Sequence, residues 1–142
     1  CQALIAPLLA DRALLQVLVN KAVSKMSEQA EVDSGRLAAM GYCFGGLTVL
    51  DLARSGADVR GVVSFHGLFN APETAAAGAI RAKVLCLHGY DDPMVPPESV
   101  LALAAELTAG GADWQIHRPA AVRLLALLGR VSRAHWPESE RP

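Results

Sequence analysis

The first feature of this sequence able to do chemistry is a cysteine set among glycines. Gly41-Tyr42-Cys43-Phe44-Gly45-Gly46 follows a short apolar run and precedes a helical pattern. Between a strand and a helix, such a segment predicts a nucleophile elbow with Cys in the place more often held by Ser. The turn is so sharp that the nucleophile takes a strained backbone conformation, which only small neighbours permit. Its side chain then stands clear of the sheet. The helix that follows aims its N-terminus at the sulfur, which favours the thiolate, and the Phe44 N–H can face a developing oxyanion. A small buried Cys before a glycine-rich turn is the plainer alternative, and the strand-before, helix-after context favours the elbow.

A second motif, Gly89-Tyr90-Asp91-Asp92-Pro93-Met94-Val95-Pro96, stands directly after another apolar run. A triad acid sits on such a loop, after the nucleophile in chain order, and holds the base in its useful tautomer. An Asp-rich turn is the bland reading, and the order nucleophile then acid favours the catalytic one. The four histidines suit a base less well. His66 and His88 end interior strands, ahead of the place that chain order gives the base, and read as structural. His135 lies in a tail of different composition. His117 follows the acid but stands at the end of a strand, and it is the remaining candidate for the base. Cys86 lies inside an apolar run with no helix after it and reads as core.

The elements that must position these residues follow from apolar spacing. Asp11 can cap a helix from Arg12 to about Gln29, whose Leu14, Leu15, Leu18, Val19, Ala22, Val23 and Met26 form one face to pack on a sheet. A turn at 33–36 leads to a strand at 37–42, then a helix at 45–55 stopped by Gly56 and a strand at 61–65. A loop at 70–82 precedes a strand at 83–88. After the Asp loop come a helix at 98–109, closed by Gly110-Gly111, and a strand at 114–117. Apolar strands alternating with helices predict an α/β fold: a mostly parallel sheet covered on both faces, with functional residues at the carboxyl ends of the strands.

Composition removes several classes. The 142 residues are 52% hydrophobic, enough for one buried core, yet no apolar run approaches the ~18 residues of a membrane-spanning helix, so no membrane partner is expected. A net charge of −1 offers no field for nucleic acid. Three cysteines without a CxxC pair suggest neither a disulfide framework nor a zinc site, and fit reduced thiols in a cytoplasmic protein. The opening Cys1-Gln2-Ala3, without an initiator Met, reads as an interior point of a longer chain. Charge is uneven: residues 1–117 carry eight basic and twelve acidic groups, whereas 118–142 carry five arginines and two glutamates.

Three segments, GYCFGG at 41–46, VVSFHG at 62–67 and LHGYDDPMVP at 87–96, make the chain resemble the dienelactone hydrolase family of the α/β-hydrolase fold over about residues 8–117. The resemblance implies hydrolysis of a small carboxylic ester or lactone through a cysteine acyl-enzyme, with no metal or cofactor. Its G-x-x-D-x-x-V-P pattern selects Asp92 as the acid. It also implies a base near position 124, where Leu124 stands. A second oxyanion donor, a glutamate beside the resting thiol and an arginine for a substrate carboxylate would come from regions outside this chain. From Arg118 on the resemblance is lost, and the switch to Arg, Ala, Leu and Pro is what a reading-frame slip in a GC-rich gene produces. The expectation is therefore an incomplete α/β-hydrolase core at 1–117 and a divergent tail at 118–142, without turnover of its own. A cysteine amidotransferase also presents G-x-C-x-G, but it needs a downstream His-x-Glu pair, and His135-Trp136-Pro137-Glu138 has the wrong spacing. A non-catalytic interaction module built on a basic helix at 122–136 has only the weak face of Leu124, Leu125, Leu127 and Leu128.

Overall fold

Asp11 ends one helix and begins the next. In the computed structural model, which describes residues 2–72, 80–90 and 92–118, α1 (Gln2–Ala10) meets α2 (Arg12–Ser27) at a bend of 106°. The Asp11 carboxylate accepts the Leu14 N–H and so satisfies one of the free amides of the first turn. The first of these helices was not anticipated by the apolar spacing. No single described helix is long and apolar enough to cross a membrane. The expected apolar face of α2 is only partly used: Leu15 is buried and Val19 and Val23 reach the core, while Leu14, Leu18 and Met26 stay exposed.

A turn of 3₁₀ helix at Ser34–Arg36 leads into β1 (Ala38–Tyr42), α3 (Phe44–Arg54), β2 (Gly61–Phe65), β3 (Lys83–Leu87), α4 (Pro97–Ala109) and β4 (Trp114–His117). All the strands are parallel and lie in the order β1-β2-β3-β4. The register aligns their ends, with Tyr42 beside Phe65, Phe65 beside Leu87 and Leu87 beside His117. One step further along the chain, Cys43, His66, His88 and Arg118 therefore follow the carboxyl ends of four neighbouring strands.

The core lies on one face. Val62, Val84 and Cys86 point into it and meet Leu50 and Leu52 of α3 and Leu103 and Leu107 of α4. Because side chains alternate along a strand, Met40 and Tyr42 point the other way, and they are 60% and 46% exposed. Among the described residues the sheet is thus covered on one face, where the sequence led us to expect two. The parallel order and alternating elements are as expected. The tail at 119–142, with Leu124 and His135, lies outside the described residues, as does Asp91.

An ion network ties α2, α3 and α4 to the chain that leaves β2. Arg12 grips Asp51 through two nitrogens at 2.5 and 2.6 Å, and Arg54 reaches the same carboxylate at 3.2 Å. Arg54 also grips Glu106 at 2.7 and 2.8 Å and donates to the Phe69 carbonyl. Burial works against the Arg54 charge, but the Glu106 carboxylate and then Asp51 outweigh it and hold the guanidinium above its ordinary value.

Candidate active site

Cys43 occupies the cap position between β1 and α3, with φ 53° and ψ −115°. A side-chain-bearing residue adopts this left-handed conformation only at a cost, and surrounding structure must impose it. The imposing contacts are glycine contacts: a Cβ on Gly41 would overlap the Gly45 carbonyl, and one on Gly46 would come within 2.9 Å of Gly67 Cα. The Cys43 N–H donates to the Phe65 carbonyl and its carbonyl accepts the Leu47 N–H, so the strained residue is fixed at both ends. Cys43 is exposed. The Phe44 N–H is among the first amides of α3, which have no intrahelical acceptor.

His66 is the second described non-glycine residue with positive φ, at 54°. Its Nδ1 makes a sulfur hydrogen bond of 3.6 Å with Cys43 Sγ, and its Nε2 lies 2.7 Å from Asp92 Oδ2. With Asp92 facing Nε2, the proton of the neutral ring belongs on that nitrogen, leaving Nδ1 free to accept the thiol proton. The carboxylate is 9% exposed and its Oδ1 takes the Met94 N–H at 2.9 Å, which anchors it in its own turn. The row of residues beyond the strand ends thus brings together thiol, imidazole and carboxylate.

The sequence placed Cys43, Phe44 and Asp92 in this site and left His66 out of it. The signal was present: Gly-Tyr-Cys and Ser-Phe-His end their strands at equivalent points, so a parallel in-register sheet sets Cys43 beside His66. His117, expected as the residual base, is not brought to the thiol. It lies on the outermost strand with two strands between it and β1, and it shares the sheet face of Tyr42 and Phe65. Its Nε2 is engaged with Gln115 Oε1 at 3.0 Å. The reason is parity, since His117 is one residue short of the row that carries the site.

Cys86 sits in mid-strand, wholly buried, and burial pushes its thiol up to about 12 against a weak opposing pull from Arg54. It is core, as its apolar run suggested. Among the described residues no cluster of His, Cys, Asp and Glu is arranged to hold a metal ion.

A family model described as "Dienelactone hydrolase family" matches residues 2–122, starting before and ending after the 8–117 span drawn from motifs. A solved structure of a dienelactone hydrolase-like promiscuous phosphotriesterase from metagenomic libraries is 37% identical, with a TM-score of 0.79 over 84% of this chain and 50% of that one. A second, m3DLH, is 32% identical with a TM-score of 0.77, over 92% of this chain and 63% of its own. An uncharacterised Caenorhabditis elegans protein is 31% identical over 102 residues, which are 70% of this chain and 65% of the relative. The chain therefore spans between half and about two-thirds of the length of these relatives. Its parallel sheet with flanking helices is that of the α/β hydrolases.

Proposed function

The chain belongs to the dienelactone hydrolase family, and from that premise we propose that it hydrolyses small carboxylic esters or lactones through a cysteine acyl-enzyme. The observation that carries this reading is the contact of Cys43 Sγ with His66 Nδ1, while Nε2 of the same ring faces Asp92. His66 takes the Cys43 proton, and the sulfur attacks the ester carbonyl carbon. The oxyanion forms toward the Phe44 N–H at the start of α3. Collapse expels the alcohol oxygen, which receives the proton from His66 and leaves a thioester on Cys43. Water attacks that thioester, giving its proton to His66 and releasing the carboxylic acid, and the proton returns to sulfur. Asp92 keeps the ring in the tautomer that both halves need. No metal or cofactor enters these steps.

The imidazole in this scheme is His66, not the later histidine that the family resemblance implies. Phe44 supplies one oxyanion amide at the first turn of α3. With His66 as base the chain carries out turnover in this reading, where the absence of a later histidine had led us to expect none. The reactive thiol fits a reducing compartment such as the cytoplasm.

The test is acyl-enzyme capture. The protein is mixed with an activated aryl ester, quenched in acid and mapped by mass spectrometry. The expected result is one acyl group on the Cys43 peptide, absent from Cys43→Ala and formed at least about 100-fold more slowly in His66→Gln. Acylation elsewhere, or release of aryl alcohol that persists in Cys43→Ala, overturns the assignment. Because the 37% identical neighbour is described as a promiscuous phosphotriesterase, an aryl phosphotriester belongs in the same assay as a second electrophile for the same sulfur.

A further inference from the structure

One oxygen of Asp92 faces two imidazoles, and the reading above uses only one of them. Oδ2 lies 2.7 Å from His66 Nε2 and 3.1 Å from His88 Nε2. His88 follows β3 as His66 follows β2, and its backbone N–H is fixed on the His117 carbonyl. Its ring is fully buried, tilted against Phe69 with centroids 4.9 Å apart and stacked on His66 at 5.5 Å with planes 10° apart. Apart from this proximity of Nε2 to Oδ2, neither ring nitrogen has a hydrogen-bond partner. A buried imidazole left in that condition costs stability that an apolar ring of equal size would not.

We propose that His88 is a positioning residue: its buried Nε2–H, 3.1 Å from Oδ2 of Asp92, attracts that oxygen and keeps it toward His66, and thereby sets the reactivity of Cys43. The proposal rests on the cysteine–imidazole–carboxylate reading given above. Two stacked rings converge on one oxygen, while the other oxygen is tied to the Met94 amide. Turning the carboxylate off His66 would also strip the buried His88 of its polar neighbour, so the second ring resists that turn. The role requires a neutral ring with its proton on Nε2. Three ionisable groups act on it from neighbouring elements: His66 after β2, Asp92 on the loop after β3 and Arg118 after β4. Burial lowers its basicity most, Asp92 opposes that, and His66 and Arg118 add to the lowering, so the ring stays neutral at neutral pH.

The experiment compares His88→Phe, which keeps the aromatic shape and removes the donor, with His88→Gln, which keeps an N–H at a similar reach. Each is read by the pH profile of Cys43 alkylation with iodoacetamide and by the unfolding midpoint in urea. His88→Phe is expected to unfold at the same or higher urea, yet to lower the alkylation rate near pH 7 about tenfold and displace the profile along the pH axis. His88→Gln is expected to restore rate and profile to within about threefold. A folded His88→Phe whose profile superposes on the parent's overturns the proposal. Ring-nitrogen NMR of the unmodified protein tests it independently of any variant: at pH 7 the proton of a neutral His88 must be on Nε2, and a proton on Nδ1 or a doubly protonated ring overturns it. A His66→Gln variant separates the two levels. If it leaves Cys43 alkylation unchanged, the underlying site reading fails as well. If it changes alkylation and His88→Phe does not, only the role of His88 is lost.

Discussion

Two carboxylates stand at the centres of two clusters, and their surroundings could hardly differ more. Asp51 is fully buried and held by Arg12 through two short bonds and by Arg54 through a third. Asp92 faces two imidazoles that approach one of its oxygens, and one of those rings is half-exposed. Around Asp51 the arginine donors are paired and the backbone is helical. Around Asp92 a buried ring has no hydrogen-bond partner beyond that approach, and Cys43 and His66 both hold positive φ. Charge clustering alone is therefore no sign of a reactive site. Strain, exposure and incomplete pairing are what separate the cluster proposed to react from the one that fastens helices together.

Each cluster has its own cysteine, and the largest expected effect divides them. Cys86, within reach of the Arg54 charge, has a thiol pushed up to about 12, whereas Cys43 is exposed at the elbow. At pH 8 Cys86 is therefore almost wholly in the thiol form, and its buried sulfur is also shielded from reagent. Limited iodoacetamide with peptide mapping is expected to label Cys43 at least about 1000-fold faster in folded protein, with parity restored in urea. Equal rates without denaturant would erase the distinction between the two regions.

Next in size is the contrast between the carboxylates. Asp51→Ala leaves two buried guanidinium groups short of their anion and is expected to cost about 3–5 kcal/mol. Asp92→Asn keeps an acceptor for the Met94 amide and is expected to cost less than about 1 kcal/mol, while slowing Cys43 alkylation. Urea unfolding curves of the two variants measure the first difference. If Asp92→Asn proves as destabilising as Asp51→Ala, the second cluster is a fastener too.

The smallest effect is a pH dependence. Burial holds His88 below its ordinary value, so as pH falls through about 6.5 the unfolded chain takes up a proton that the native ring resists. Native stability is complete above that pH and declines below it, by at most about 1.4 kcal/mol per pH unit for one group. Stability measured from pH 7.5 to 5 should show this decline, and His88→Phe should remove that part of it. An unchanged slope in the variant would mean that the native ring accepts the proton freely.

Much of the fold was legible because local rules govern it. The period of the apolar residues marked the strands and most helices, and Asp11 and Gly56 marked ends. The glycines around Cys43 announced the elbow, since no other residue type lets the chain pass so closely there. The first helix escaped because its residues are apolar almost throughout, leaving no polar face to define a period. The uncovered sheet face escaped because apolar runs tell how buried a strand could be, not what lies against it.

Residue types and spacing alone determined the alternation of strand and helix, the cysteine at the elbow and the loop that carries Asp92. Each is a matter of residue type and short spacing. Which histidine meets the thiol was decided only by the sheet. Chain order argued for His117, but register aligned the ends of β1 and β2 and set His66 beside Cys43. Strand parity turned His117 to the other face, one residue from the row that matters. Asp51 and Arg54, three residues apart on one helix, are placed to meet by local spacing, but Arg12 gave no local sign of joining them from 39 residues away. Such pairings depend on how strands and helices stack through space, and no pattern within one segment of chain records that.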